Sequence, residues 1–160
     1  MREKLLRYLG LKDVLRTGWV RAGVHCPESV AAHSWGMAVI ALKLCPPELD
    51  MLRVLELCLV HDLPEVVVGD LTPHDDVSTK AEDERRAMDD LAPEWLPLLD
   101  EYTAQATAEA VFVKSMDKLD MGLQSMKYQH AHGMDLSEFL NSARNAVGEP
   151  FRGLLDDCEE

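Results

Sequence analysis

Apolar residues recur along this chain every three to four positions, the spacing of one face of an α-helix, and no run alternates with the period of two that a strand requires. A first helix is predicted over residues 2 to 13, ended near Thr17-Gly18, and the stretch from Arg16 to Pro27 reads as irregular, with glycines at 18 and 23. Glu28-Ser29 open a second helix to about Leu44, where Pro46-Pro47 stop it, and a third runs from about Pro47 to Asp62. Leu63 to Gly69 reads as one or two helical turns and Gly69 to Pro73 as a loop. A charge-dense helix follows over 79 to 92, whose Glu82 to Asp90 stretch reads as a solvated face, and a short one begins at Pro93 around Trp95. The longest is expected from about Thr103 to Gln129 and the last from about Leu136 to Ala146. The fold class is therefore all-α, a single-domain helical bundle over 1–150, with 151–160 as an acidic C-terminal tail.

Composition agrees with this picture and narrows the partners. Apolar residues are 47% of 160, enough for one domain with a real core. Sixteen basic against twenty-nine acidic residues give a net charge of −13, which repels phosphate backbones and so argues against polymeric nucleic acid and anionic membranes. A small anionic substrate then needs a bound cation to offset the local field. Cysteines at 26, 45, 58 and 158 form no C-x-x-C pair, and Cys58 reads as a small buried hydrophobe. No stretch of about 18 apolar residues occurs and the N-terminus carries no long apolar signal core, so a cytoplasmic place is expected.

The polar residues that interrupt the apolar faces change the picture most. At about 100° per residue, His33 shares a face with Val30, Met37, Ile40 and Leu44, and His61 lies over Val54 and Leu57. Asp117 falls in a sector with Ala110, Val113 and Met121, from which Lys114 and Lys118 turn away. A lone inward histidine is usually a hydrogen-bonded core residue, and a lone inward carboxylate is costly without a partner. One divalent cation held by His33, His61, Asp62 and Asp117 satisfies all four at once. Two imidazoles with two carboxylates suit Mn, Fe, Co, Ni or Zn better than calcium or a thiolate zinc site, and positions left open for water point to catalysis. His25, His74, His130 and His132 read as ordinary polar residues in loops or at helix ends.

The order helix histidine, His-Asp, distant aspartate resembles the HD-domain metal-dependent phosphohydrolases. Arg16-Thr17-Gly18-Trp19, Pro27 to His33, His61-Asp62-Leu63-Pro64-Glu65, Gly69-Asp70 and Ala108 to Asp117 resemble their 5′-deoxynucleotidase branch, over roughly residues 5 to 130, and the eukaryotic members more than the bacterial one. The resemblance implies an HD-domain bundle, a divalent metal (Mn, Co, Mg, Fe, Ni or Zn) on His33, His61, Asp62 and Asp117, and hydrolysis of deoxyribonucleoside 5′-monophosphates. It implies that Glu65 orients or deprotonates a water, and that Asp70 assists proton transfer; the same two acids would take a second metal. It further implies that Arg16 meets the substrate phosphate, that Trp19 packs near the sugar and crowds out a 2′-hydroxyl, and that the chain is a homodimer. Bacterial members place an arginine and tryptophan side by side, whereas Thr17-Gly18 separates them here. Two other readings stay open: another HD-domain enzyme, a cyclic-nucleotide phosphodiesterase or a di-iron oxygenase, and a non-catalytic nucleotide-binding helical module.

Overall fold

The structure, a computed structural model, describes residues 1–156. Those residues form helices α1 (Arg2–Leu9), α2 (Thr17–Arg21), α3 (Val30–Leu44), α4 (Met51–Val60), α5 (Glu65–Val68), α6 (Lys80–Leu91), α7 (Leu96–Ala104), α8 (Ala108–His132) and α9 (Ser137–Ala146), with 3-10 turns at Gly10–Lys12, Pro93–Trp95 and Phe151–Leu155. Among the described residues there is no strand; a single bridge pairs Leu15 with Ser29. No helix among the described residues is long and apolar enough to cross a membrane. The all-α expectation holds, and several boundaries move for identifiable reasons.

Side-chain caps set the starts. Ser29 Oγ accepts from Ala32 N at 3.2 Å, so α3 begins at Val30, as Glu28-Ser29 predicts. Asp50 accepts from Leu52 N at 2.9 Å, which delays α4 to Met51 instead of Pro47. Each such cap is worth about 0.5–2 kcal/mol. The start expected at Thr103 moves to Ala108: α7 runs on to Ala104 and ends in a left-handed Gln105 (φ 49°), and Thr107 caps α8 by accepting from Ala110 N at 3.1 Å. Neither glycine nor proline marks that break, so the sequence leaves its position uncertain by several residues. The stretch expected to be irregular holds the short α2, whose Trp19 is buried.

The long α8 is the axis of the bundle, packing on α3, α4, α7 and α9. Val30, Met37 and Ala41 of α3, Val54, Leu57 and Cys58 of α4, and Val113 and Met116 of α8 are fully buried in one core. Burial of a side chain of this size contributes about 1.5–3 kcal/mol. A smaller cluster of Trp19, Val24, Tyr128 and Leu136 anchors α2 to the far end of α8. Residues 151–155 depart from the expected tail: Leu155 is fully buried, and its side chain occupies the space where a Cβ on Gly122 would stand. The helical unit thus continues to Leu155; Asp156 is exposed, and 157–160, including Cys158, lie outside the described residues. Cys26, Cys45 and Cys58 are free thiols.

Candidate active site

His33 sits in the second turn of α3 and His61 follows the last residue of α4, so both imidazoles enter the same space from helices that pack on each other. Each ring has its Nδ1 committed. His33 Nδ1 donates to Asp120 Oδ2 at 2.7 Å, and His61 Nδ1 donates to the Cys58 carbonyl at 3.1 Å. That leaves both Nε2 atoms facing inward, buried and without hydrogen-bond partners. Buried polar atoms rarely go unsatisfied. Donor atoms of His33, His61 and Asp62 lie within 4.8 Å of one another, and Asp117 Oδ1 stands 3.4 Å from His33 Nε2. Two orphaned imidazole nitrogens with convergent carboxylates fit a divalent cation of borderline hardness.

Asp62 extends the site toward solvent, with Oδ2 3.1 Å from His61 Nε2 and 3.7 Å from an Arg16 guanidinium nitrogen. Burial raises its pKa, but His61, His33 and Arg16 outweigh burial and keep it ionised, well below the usual carboxylate range. Glu65, at the start of α5, is 2% exposed and its Oε2 has no partner. Burial, with Asp62 and Asp70 nearby, pushes its carboxyl up to about 10. Asp70 is committed on both oxygens: Oδ2 accepts from Thr17 N at 2.6 Å and Oδ1 lies 3.6 Å from Arg16.

These groups open onto a cavity of about 540 Å³. Arg16, Trp19, His61, Asp62, Glu65, Asp70 and Asp117 all line it, while His33 lies behind its wall, fully buried. Trp19 is 1% exposed, held between Tyr128 and Phe139 with its Nε1 donating to Glu28 Oε1 at 3.0 Å. It is a core residue of the wall and presents almost no surface to a sugar.

Several lining residues escape the sequence reading. Lys114 and Lys118 do not turn away from Asp117; their ammonium groups stand 3.2 and 3.4 Å from its Oδ2. Tyr102 donates to the same oxygen at 3.2 Å, and burial together with Asp117 and Asp62 keeps it protonated. The long lysine stems bring charge around the helix from positions that a wheel assigns to another sector. The i, i+3 spacing of Lys114 and Asp117 is the one signal that could have revealed the pair. Lys80, and Glu84 from the stretch expected to be solvated, reach the cavity as well, with Lys80 Nζ 3.7 Å from Glu65 Oε1. His74 is more than an ordinary loop residue: it lines the mouth, 3.4 Å from Glu138 Oε1, an oxygen that also accepts from Arg21 at 2.8 Å. Although the chain carries −13 overall, Arg16, Arg21, Lys80, Lys114 and Lys118 converge here and offset the acids Asp62, Glu65, Asp70, Glu84, Asp117 and Glu138 of the same lining, so a bound cation would tip the balance toward an anion.

The chain is similar to known proteins over most of its length. The human 5′-deoxynucleotidase HDDC2 is 38% identical, the match covering 92% of this chain and 78% of that protein. A solved protein from Pyrococcus horikoshii is 34% identical with a TM-score of 0.83, over 89% of this chain and 86% of the other. The structure of a predicted metal-dependent phosphohydrolase from Magnetospirillum magnetotacticum is 26% identical with a TM-score of 0.75, over 96% and 86%. The family model for the HD domain matches residues 10–154, so the same helices that carry His33, His61-Asp62 and Asp117 to one point make this chain a member of the HD-domain family.

Proposed function

We propose that this protein is a divalent-metal-dependent 5′-deoxynucleotidase, which hydrolyses deoxyribonucleoside 5′-monophosphates to deoxyribonucleoside and phosphate. One observation carries the reading: two unpartnered imidazole nitrogens, two carboxylates and a buried acid converge on the floor of a cavity lined by both cations and acids. The activity named for the human relative supports the substrate class. His33, His61, Asp62 and Asp117 would hold the metal, which when bound polarises the phosphate and lowers the pKa of a water.

The chain's own residues do the rest. Glu65 takes a proton from the water that attacks phosphorus, the bond from phosphorus to the nucleoside 5′-oxygen breaks, and the leaving oxygen takes up a proton from solvent to give the deoxyribonucleoside. Arg16, Lys114 and Lys118 offset charge on the phosphoryl oxygens. Asp70 also holds Arg16 and the start of α2, through Thr17 N and the Arg16 guanidinium, beside its part in proton transfer or a second metal. Trp19 fixes α2 against α8 and so supports Arg16, in place of excluding a 2′-hydroxyl. The same reading carries a homodimer, for which Trp35, Val39 and Leu42 offer an exposed apolar face on α3, and a cytoplasmic place of action. A di-iron or cyclic-nucleotide reading is less favoured because, among the described residues, no third histidine joins the cluster.

Phosphate release from a panel of deoxy- and ribonucleoside 5′-monophosphates under Mn, Co, Mg and Zn tests the proposal. Turnover of the deoxy series with at least one metal is expected. Tight nucleotide binding without phosphate release from any member would overturn it in favour of a binding module.

Metal uptake should also release protons. Burial and Arg16 push His33 down, but the carboxylates of Asp117 and Asp120 prevail and hold it up at about 9. Glu65 stands at about 10. Both therefore keep their protons near neutral pH in the metal-free protein, and a cation favours the deprotonated forms of both. Calorimetry of Mn binding at about pH 7.5 is expected to give heats that change with buffer ionisation enthalpy, with affinity rising as pH climbs toward 9. Buffer-independent heats would contradict this.

A further inference from the structure

We propose that Asp120 and Gly36 form a slot that orients the His33 imidazole for a cation, Asp120 as a positioning residue and Gly36 as the space it needs. The inference rests on the reading of His33 as a metal ligand. His33 is fully buried, and its two ring nitrogens meet two carboxylates from one helix. Asp117 Oδ1 is 3.4 Å from Nε2, and Asp120 Oδ2 is 2.7 Å from Nδ1. The two aspartates are three residues apart on α8, neighbours on one helical face. An ionised carboxylate only accepts, so the short contact fixes the proton on Nδ1 and turns Nε2 toward the site. Outer carboxylates of this kind hold a ligand ring and raise its basicity.

Gly36 explains why the carboxylate can stand there. It lies in the interior of α3, three residues after His33, where glycine weakens a helix relative to alanine. A Cβ at that position would fall inside the envelope of Asp120 Oδ1 and 3.2 Å from its Cγ. Asp120 is itself 8% exposed, so it has little room to retreat. The glycine is therefore a matter of space and not of flexibility, and the slot links a residue on each of two helices to the ring between them. Nothing in the sequence reading singled out either position.

Cobalt titration of the metal-free protein, followed by absorption, separates this role from simple tethering of α3 to α8. Asp120→Asn keeps an acceptor but loses the charge, and is expected to weaken cobalt affinity about 10-fold, with Asp120→Ala nearer 100-fold. Gly36→Ala should match the loss caused by Asp120→Ala, and should cost nothing further when added to it, since the methyl then has no carboxylate to displace. Thermal unfolding of the metal-free variants provides the structural control. Variants that unfold at lower temperature yet bind cobalt like the unaltered protein would overturn the inference. So would a Gly36→Ala loss that is the same with and without the Asp120 carboxylate. Failure of the unaltered protein to bind cobalt would instead remove the metal reading of His33 itself.

Discussion

Asp62→Ala is expected to abolish phosphate release from deoxynucleoside monophosphates while leaving the helices in place. The carboxylate stands 3.1 Å from His61 Nε2 and 3.9 Å from His33 Nε2, the two nitrogens that lack partners. Removing it leaves the imidazoles with one fewer negative neighbour and leaves Arg16 facing only Asp70 at close range. A loss of several kcal/mol of charge stabilisation corresponds to at least about a 10³-fold fall in turnover. Little packing goes with it, because Asp62 follows the end of α4 and its side chain is 17% exposed on the cavity side. Far-UV circular dichroism should therefore be unchanged. Wild-type turnover in this variant, measured as phosphate release with Mn present, would sink metal-assisted hydrolysis altogether.

Glu65→Gln should produce the second largest effect, and of a different kind. Gln has the shape of Glu but does not take up a proton, and Glu65 Oε2 makes no hydrogen bond whose loss would disturb the fold. The residue is 2% exposed, so the surrounding packing holds the amide in the same place. Loss of a general base typically lowers kcat by about 10²–10⁴-fold. Nucleotide affinity, which falls to Arg16, Lys114 and Lys118 in the proposed scheme, should change by no more than a few fold. Steady-state kinetics distinguish the roles: a raised KM with unchanged kcat would make Glu65 a substrate-binding residue instead.

These two residues lie adjacent to His61 or one turn beyond it, and that nearness explains why the sequence was informative about them. Periodicity placed His33, His61 and Asp117 on inward faces, and all three are buried. It also placed α3, α6 and α9 within a residue or two of their observed spans. It misplaced the boundary between α7 and α8, where a left-handed Gln105 without glycine or proline ends α7 a few residues later than expected. It failed again at Leu155, because a short apolar pair ahead of an acidic end does not reveal that Gly122 leaves a place for it.

By itself, the sequence determined most of the helices, short α2 excepted, and placed His33, His61 and Asp117 on faces that turn inward. These are local properties: a side chain's angle about its own helix follows from a fixed rotation per residue, and caps act within three residues of the helix start. Only the tertiary structure decided who meets whom. Asp120 reaches His33 from 87 residues away, Asp70 holds the start of α2 across 53, and Tyr102 and two lysines share one oxygen of Asp117. Such pairings depend on how α3, α4 and α8 settle against one another, which the packing of the whole core sets and no single helix encodes. The same packing buries Trp19, which the motif alone would have placed against a substrate.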